Sequence, residues 1–215
     1  MGLDQYLYAQ RRLEKGFNVP ERMLRQLGYE DECYIMRERC EGAIVAKASG
    51  LSGVIPSGED DSFYLVRDGD ALAARFTVGY WRKANQVHGW FVRKAMSGVD
   101  ECQLASIDRS MLIELRDICK TVISGVETVE GDVRVGTVMT KSPDGEIQTH
   151  HRYESGRVVT NVALAQRLLP TQSGFFFGGT DYDQFYLSDL DTTVVILDLA
   201  LKAPDDTQFF YRASW

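Results

Sequence analysis

The sequence predicts one α+β domain, a mixed and mostly antiparallel sheet packed with about four helices and carrying a β-hairpin excursion. Three observations lead there. Apolar spacings of two and of 3–4 residues follow one another without strict strand–helix alternation. No internal repeat and no linker of domain-separating length divides the 215 residues. A chain this long buries roughly 70% of the surface its unfolded form exposes, enough for one sizeable core.

The elements follow in order. Residues 3–8 alternate apolar and polar and predict a strand, which the charges over 11–15 break. Pro20 starts a short helix over 21–27 that Gly28 stops. Residues 32–48 are open between strand and helix, and the run Ala43-Ile44-Val45-Ala46 favours strand. Residues 50–61, with Pro56 and the acids Glu59, Asp60 and Asp61, read as an exposed, mobile loop. A short strand over 63–66 ends at Asp68-Gly69-Asp70. A helix is expected over 80–96, ended by Gly98, and a strand over 102–106. Asp108 or Ser106 then caps a helix whose apolar stripe is Leu112, Leu115, Cys119 and Val122, with Gly125 just past its end. Residues 127–160 predict the β-hairpin, turning at Ser-Pro-Asp-Gly over 142–145; residues 158–160 either continue its second arm or form a further strand. A short helix over 162–169 stops at Pro170. Glycines bracket an apolar strand at 174–178, and a helix follows over 182–201 with Leu187, Leu190, Val194, Leu197 and Leu201 on its stripe. Residues 208–212 form the last strand.

The net charge of −7 argues against a generic binder of the phosphate backbone, which needs a basic face. A nucleotide pocket needs only two or three local cations, so it stays open. No apolar run approaches the ~20 residues of a membrane span, and no signal peptide opens the chain. The expectation is a soluble protein without membrane partners, cytoplasmic in its host. Cys33, Cys40, Cys102 and Cys119 are separated by six, sixty-one and sixteen residues, with no Cys-x-x-Cys to begin a zinc site. All four are expected as reduced thiols, and no cofactor is expected.

Two constellations carry candidate chemistry. On the helix expected from Tyr80, about 100° per residue places Trp81, Ala84, Asn85, His88, Phe91 and Val92 on one face. Asn85 and His88 are polar members of an apolar stripe, where an unpartnered polar atom costs ~1–3 kcal/mol. They are either satisfied core groups or a pocket wall, with Arg82 and Lys83 supplying cations and Trp81 or Trp90 an aromatic surface. His88 is then the candidate catalytic acid/base or a ligand donor. The second constellation is residues 168–183. Thr171, Gln172 and Ser173 offer hydroxyl and amide groups, Gly178 and Gly179 permit close approach of backbone, and Thr180 or Asp181 caps the next helix. Asp181-x-Asp183 is a weak metal candidate, since acids in a first turn more often answer the helix dipole. His150 and His151 are adjacent on a strand and so point to opposite faces, which favours solvated hairpin residues over a metal pair. Trp215 ends the chain as a core cap or a stacking group.

The start Met1-Gly2-Leu3-Asp4 with Tyr6-Leu7-Tyr8, the block Tyr80-Trp81-Arg82-Lys83-Ala84-Asn85 with His88, Trp90 and Phe91, the block 169–178 with Thr180-Asp181-Tyr182-Asp183, and the ending Tyr211-Arg212-Ala213-Ser214-Trp215 together resemble a family of small uncharacterised proteins from bacteriophages and bacterial genomes. The resemblance spans both ends of the chain; residues 36–75 and 127–160 are longer than that family's pattern. It implies a phage context and no mechanism. The expected function is a phage-encoded pocket protein that binds a small phosphorylated or nucleotide-like ligand, with sequestration of a host-defence signal as its extension. The alternatives are an acidic, non-enzymatic inhibitor or mimic that binds a host protein, and a nucleotide hydrolase or transferase using His88 with Asp181 or Asp183.

Overall fold

In this computed structural model, β1 (Asp4–Arg12) is the centre of the molecule, paired antiparallel with β4 (Ala71–Arg82) on one side and with the C-terminal strand β8 (Gln208–Ser214) on the other. The structure describes residues 2–19, 32–35, 39–55, 63–68, 70–142, 144–174 and 177–215, the backbone alone at 32–35 and 39–42. The remaining described elements are β2 (Glu32–Ile35), α1 (Arg39–Ala48), β3 (Phe63–Asp68), α2 (Asn85–Ala95), β5 (Ala105–Ile107), α3 (Arg109–Gly125), β6 (Thr128–Lys141), β7 (Ile147–Val159), α4 (Ala163–Leu168) and α5 (Gln184–Ala200). The six-stranded sheet has the order β2-β3-β4-β1-β8-β5, and β6 and β7 form a separate two-stranded ladder. Every strand pair among the described residues is antiparallel, so the α+β class holds and the sheet is not mixed.

Leu7 and Ala9 of β1 share a face with Gly79 of β4 and with Tyr211 and Phe209 of β8, and α5 packs across it. Gly79 is the point of closest approach, because a Cβ there would collide with Ile196 of α5. The stripe of α3 is buried at all four expected positions, Leu112, Leu115, Cys119 and Val122. Burial raises the Cys119 thiol to about 12, and both it and Cys102 are free; Cys33 and Cys40 lie outside the described side chains.

Several expectations are corrected. Residues 43–46 belong to α1, not to a strand: Val45, Ala46, Ala48 and Ser49 are buried while Ala43, Ile44 and Lys47 are exposed, a spacing that only a helix produces. β1 runs on through Arg11 and Arg12, whose charges are answered by Asp206 at 2.7 Å and Asp68 at 2.6 Å. The expected helix over 80–96 starts only at Asn85, because Tyr80, Trp81 and Arg82 finish β4. β4 gave no alternating signal, since Ala73, Ala74, Arg75 and Phe76 are buried in succession. The strand at 102–106 is shifted to Ala105–Ile107, behind a left-handed Cys102. The described part of 174–178 is irregular rather than a strand, with the Phe177 ring folded over Gly174. At 50–55 the chain turns, yet Leu51 and Val54 are buried, so this part is no exposed loop. The helix expected over 21–27 and the acids Glu59, Asp60 and Asp61 lie outside the described residues.

Candidate functional site

The candidate site forms where β4 ends. Trp81 turns inward, its indole N–H donating to the Thr193 hydroxyl at 2.9 Å, and Arg82 therefore points outward. Lys83 is left-handed, with φ 63°, and Ala84 follows at φ −74°, ψ 71°, an inverse γ-turn closed by Asn85 N–H donating to the Lys83 carbonyl at 2.8 Å. This corner swings the chain into α2, whose first turn has neither a side-chain cap nor an acid.

Asn85 uses its whole side chain as a staple. Its Nδ2 donates to the carbonyls of Phe177 at 3.0 Å and Gly179 at 2.7 Å, and its Oδ1 accepts from Gln172 N–H at 2.8 Å. The loop after Pro170 is thereby held beside Lys83. Gly178, at φ 87°, stands so close that a Cβ would lie 3.1 Å from the Lys83 Cβ. Within the loop, Thr171 Oγ1 donates to the Thr180 carbonyl at 3.0 Å.

α5 supplies the next wall. Asp183 is its cap, accepting from Phe185 N–H at 2.8 Å and Tyr186 N–H at 3.3 Å, where Thr180 or Asp181 was expected to cap. Burial raises the Asp183 carboxyl, against the pull of those two N–H groups. Asp189, in the second turn, accepts from Gln86 Nε2 at 3.0 Å, and burial lifts its carboxyl to about 6. The last wall is the base of the hairpin. A bulge between Arg134 and Gly136 turns Arg134 towards Asp181, 3.7 Å away in a long, exposed pair that contributes little.

Together these groups enclose a cleft of about 630 Å³, lined by Arg82, Lys83, Asn85, Gln86, Arg134, Thr171, Gly178, Asp181, Asp183, Phe185 and Asp189 among others. The two constellations read from the sequence thus meet in space. Of the expected residues, Arg82, Lys83, Asn85, Thr171 and Gly178 line the cleft, as do Asp181 and Asp183. Gln172 does not: its side chain lies on Gly89 of α2, while Ser173 is exposed outside the cleft lining. Gln86, Arg134, Phe185 and Asp189 were not singled out in the sequence, although Phe185 and Asp189 are one helical turn apart.

His88 lies elsewhere. It is 1% exposed, with Nε2 3.1 Å from Asp100 Oδ2 and Nδ1 2.9 Å from the Tyr211 hydroxyl. Burial lowers its pKa against the upward pull of Asp100, which favours the neutral ring, with Nε2 facing Asp100 and Nδ1 facing the Tyr211 hydroxyl, which itself donates to Gln5 Oε1 at 3.1 Å. Asp100 also takes the indole N–H of Trp215 at 2.6 Å, which ties the C-terminus to the core. An arrangement of His88 with Asp181 or Asp183 is not assembled, and Trp81 and Trp90 are core residues. His150 and His151 are exposed on the hairpin, His151 Nδ1 being 3.2 Å from Thr137 Oγ1. Among the described residues no group of three or more His, Cys, Asp or Glu side chains is placed to hold a metal ion. No described helix is long and apolar enough to cross a membrane.

The fold and site define an antiparallel α+β protein with a surface cleft lined by three cations, Arg82, Lys83 and Arg134, and three aspartates, Asp181, Asp183 and Asp189. Comparison with known protein families, with curated proteins and with solved structures finds no match for this chain.

Proposed function

We propose that the chain binds a small phosphorylated or nucleotide-like ligand in this cleft. One observation carries the reading: in a protein of net charge −7, Arg82, Lys83 and Arg134 converge on a single cleft, and neither Arg82 nor Lys83 makes an ion pair among the described residues. Unpaired cations beside an uncapped helix start and exposed loop glycines are what an anionic group requires. The phage context implied by the resemblance adds the setting, a ligand withheld from a host-defence pathway.

The test is calorimetric titration with nucleoside monophosphates and with pyrophosphate. Binding is expected, and Arg82→Ala is expected to weaken it roughly 10- to 100-fold, the loss of a charged hydrogen bond. Binding indifferent to Arg82→Ala, or no binding at millimolar concentration, overturns the reading and favours the acidic protein-binding alternative.

A further inference from the structure

Cations are only part of the cleft's lining. Its wall on α5 carries Phe185 and Asp189 at i and i+4, side by side on one helical face about 6 Å apart along the axis. Phe185 is 50% exposed although Tyr186 and Leu187 beside it are buried, so an aromatic face is presented to the cleft from an otherwise packed helix turn. Asp189 is set deeper. Gln86, itself 2% exposed, fixes one of its carboxylate oxygens, and no other side-chain donor reaches it among the described residues. Asp189 lines the cleft, and a carboxylate can accept several hydrogen bonds, so acceptor capacity remains beyond the one bond from Gln86.

Resting on the phosphate reading above, we propose that the occupant is a guanine nucleotide, its phosphate between Arg82, Lys83 and Arg134, its base stacked on Phe185 and its N1–H and N2–H donating to Asp189. Guanine is the base that offers two parallel N–H donors on one edge, the complement of a carboxylate. Adenine turns an acceptor nitrogen towards it beside a single amino group, and uracil flanks its one N–H with two carbonyl oxygens. Stacking on an aromatic ring is tolerant of sequence, so Phe185 supplies affinity and Asp189 the choice.

The experiment compares GMP, IMP, AMP and pyrophosphate by calorimetry at pH 7.5, on wild type, Asp189→Asn and Phe185→Ala. IMP lacks only the 2-amino group. Wild type should prefer GMP over IMP and AMP by tenfold or more, roughly the discrimination of a bidentate contact. Asp189→Asn keeps the volume and a bond to Gln86, and should bring GMP down to the level of IMP. Phe185→Ala should weaken every nucleotide and leave pyrophosphate unchanged. Equal binding of GMP, IMP and AMP that still depends on Arg82 overturns the guanine assignment and leaves the phosphate site standing. A guanine preference that survives Asp189→Asn overturns it too. Failure of every phosphorylated probe takes the underlying reading down with it.

Discussion

Lys83 has a backbone conformation that suits glycine, at φ 63°, and it holds that conformation beside a glycine, Gly178, at φ 87°. A left-handed non-glycine residue costs about 1–2 kcal/mol, and such residues gather where function holds them. The corner is over-determined by its neighbours: Lys83 N–H donates to the Leu3 carbonyl at 2.7 Å, and Asn85 fastens the loop opposite. Lys83→Gly relieves the strain while removing the charge. Urea denaturation should therefore show stability unchanged or raised by up to about 1 kcal/mol, while nucleotide affinity falls. Lost stability in Lys83→Gly would instead mean that the lysine stem, not the cation, is what the site keeps. The sequence shows Asn85 as a polar member of an apolar stripe with the cations Arg82 and Lys83 just before it, and that much was legible. The direction of each side chain was not, because it depends on whether position 82 ends a strand or lies within a helix.

Among the described residues, the hairpin arm is anchored at its base. Val133 is buried, a Cβ on Gly156 would lie 2.6 Å from Gln184 Oε1, and Val158 bridges to Asp183. Beyond the bulge Val138, Met139 and Ile147 are exposed. A two-stranded ribbon is marginal by itself, so the outer arm adds little to the core. Joining Thr137 to His151, which face each other across the ladder, by an Asn-Gly turn should leave unfolding in urea within about 1 kcal/mol of wild type. Arg134 and the cleft remain in that variant, so ligand binding should persist; its loss would assign the tip a part in the site. The arm was readable because alternation and the Ser-Pro-Asp-Gly turn are local signals. α2 was readable as a helix but not as a helix buried at every position from Asn85 to Val92. Its coverage comes from β8, the loop after Pro170 and residues 96–100, none of them near it in a local window except the last.

Across the whole molecule, stability should respond to pH through two groups of opposite sign, the buried His88 and the half-buried Asp189. His88 is held below its ordinary pKa, so under about pH 6.5 the unfolded chain takes up a proton that the folded chain resists, and stability falls as pH drops through that value. Asp189 is lifted from 3.8 to about 6, so between those values the folded chain holds the extra proton and stability declines as pH rises. Its cost is complete above pH 6. Asp189→Asn should thus stabilise the protein at pH 7, by at most about 3 kcal/mol, and leave it unchanged near pH 3.5. Urea denaturation of both proteins from pH 3.5 to 8 checks it; an equal offset at every pH would show that packing, not titration, separates them.

What the sequence by itself determined is the α3 stripe, the hairpin, the alternation of β1 and the last strand β8, and through them the α+β class. Those signals are local, since a residue's face depends only on its distance from its neighbours along one element. Tertiary structure alone decided that β1 lies between β4 and β8, that Asn85 fastens a loop some ninety residues later, and that Arg134 comes back to Asp181. The reason is physical. A strand's partner and a buried amide's acceptor are chosen by which surfaces fill space together, and that choice is made by the whole core at once.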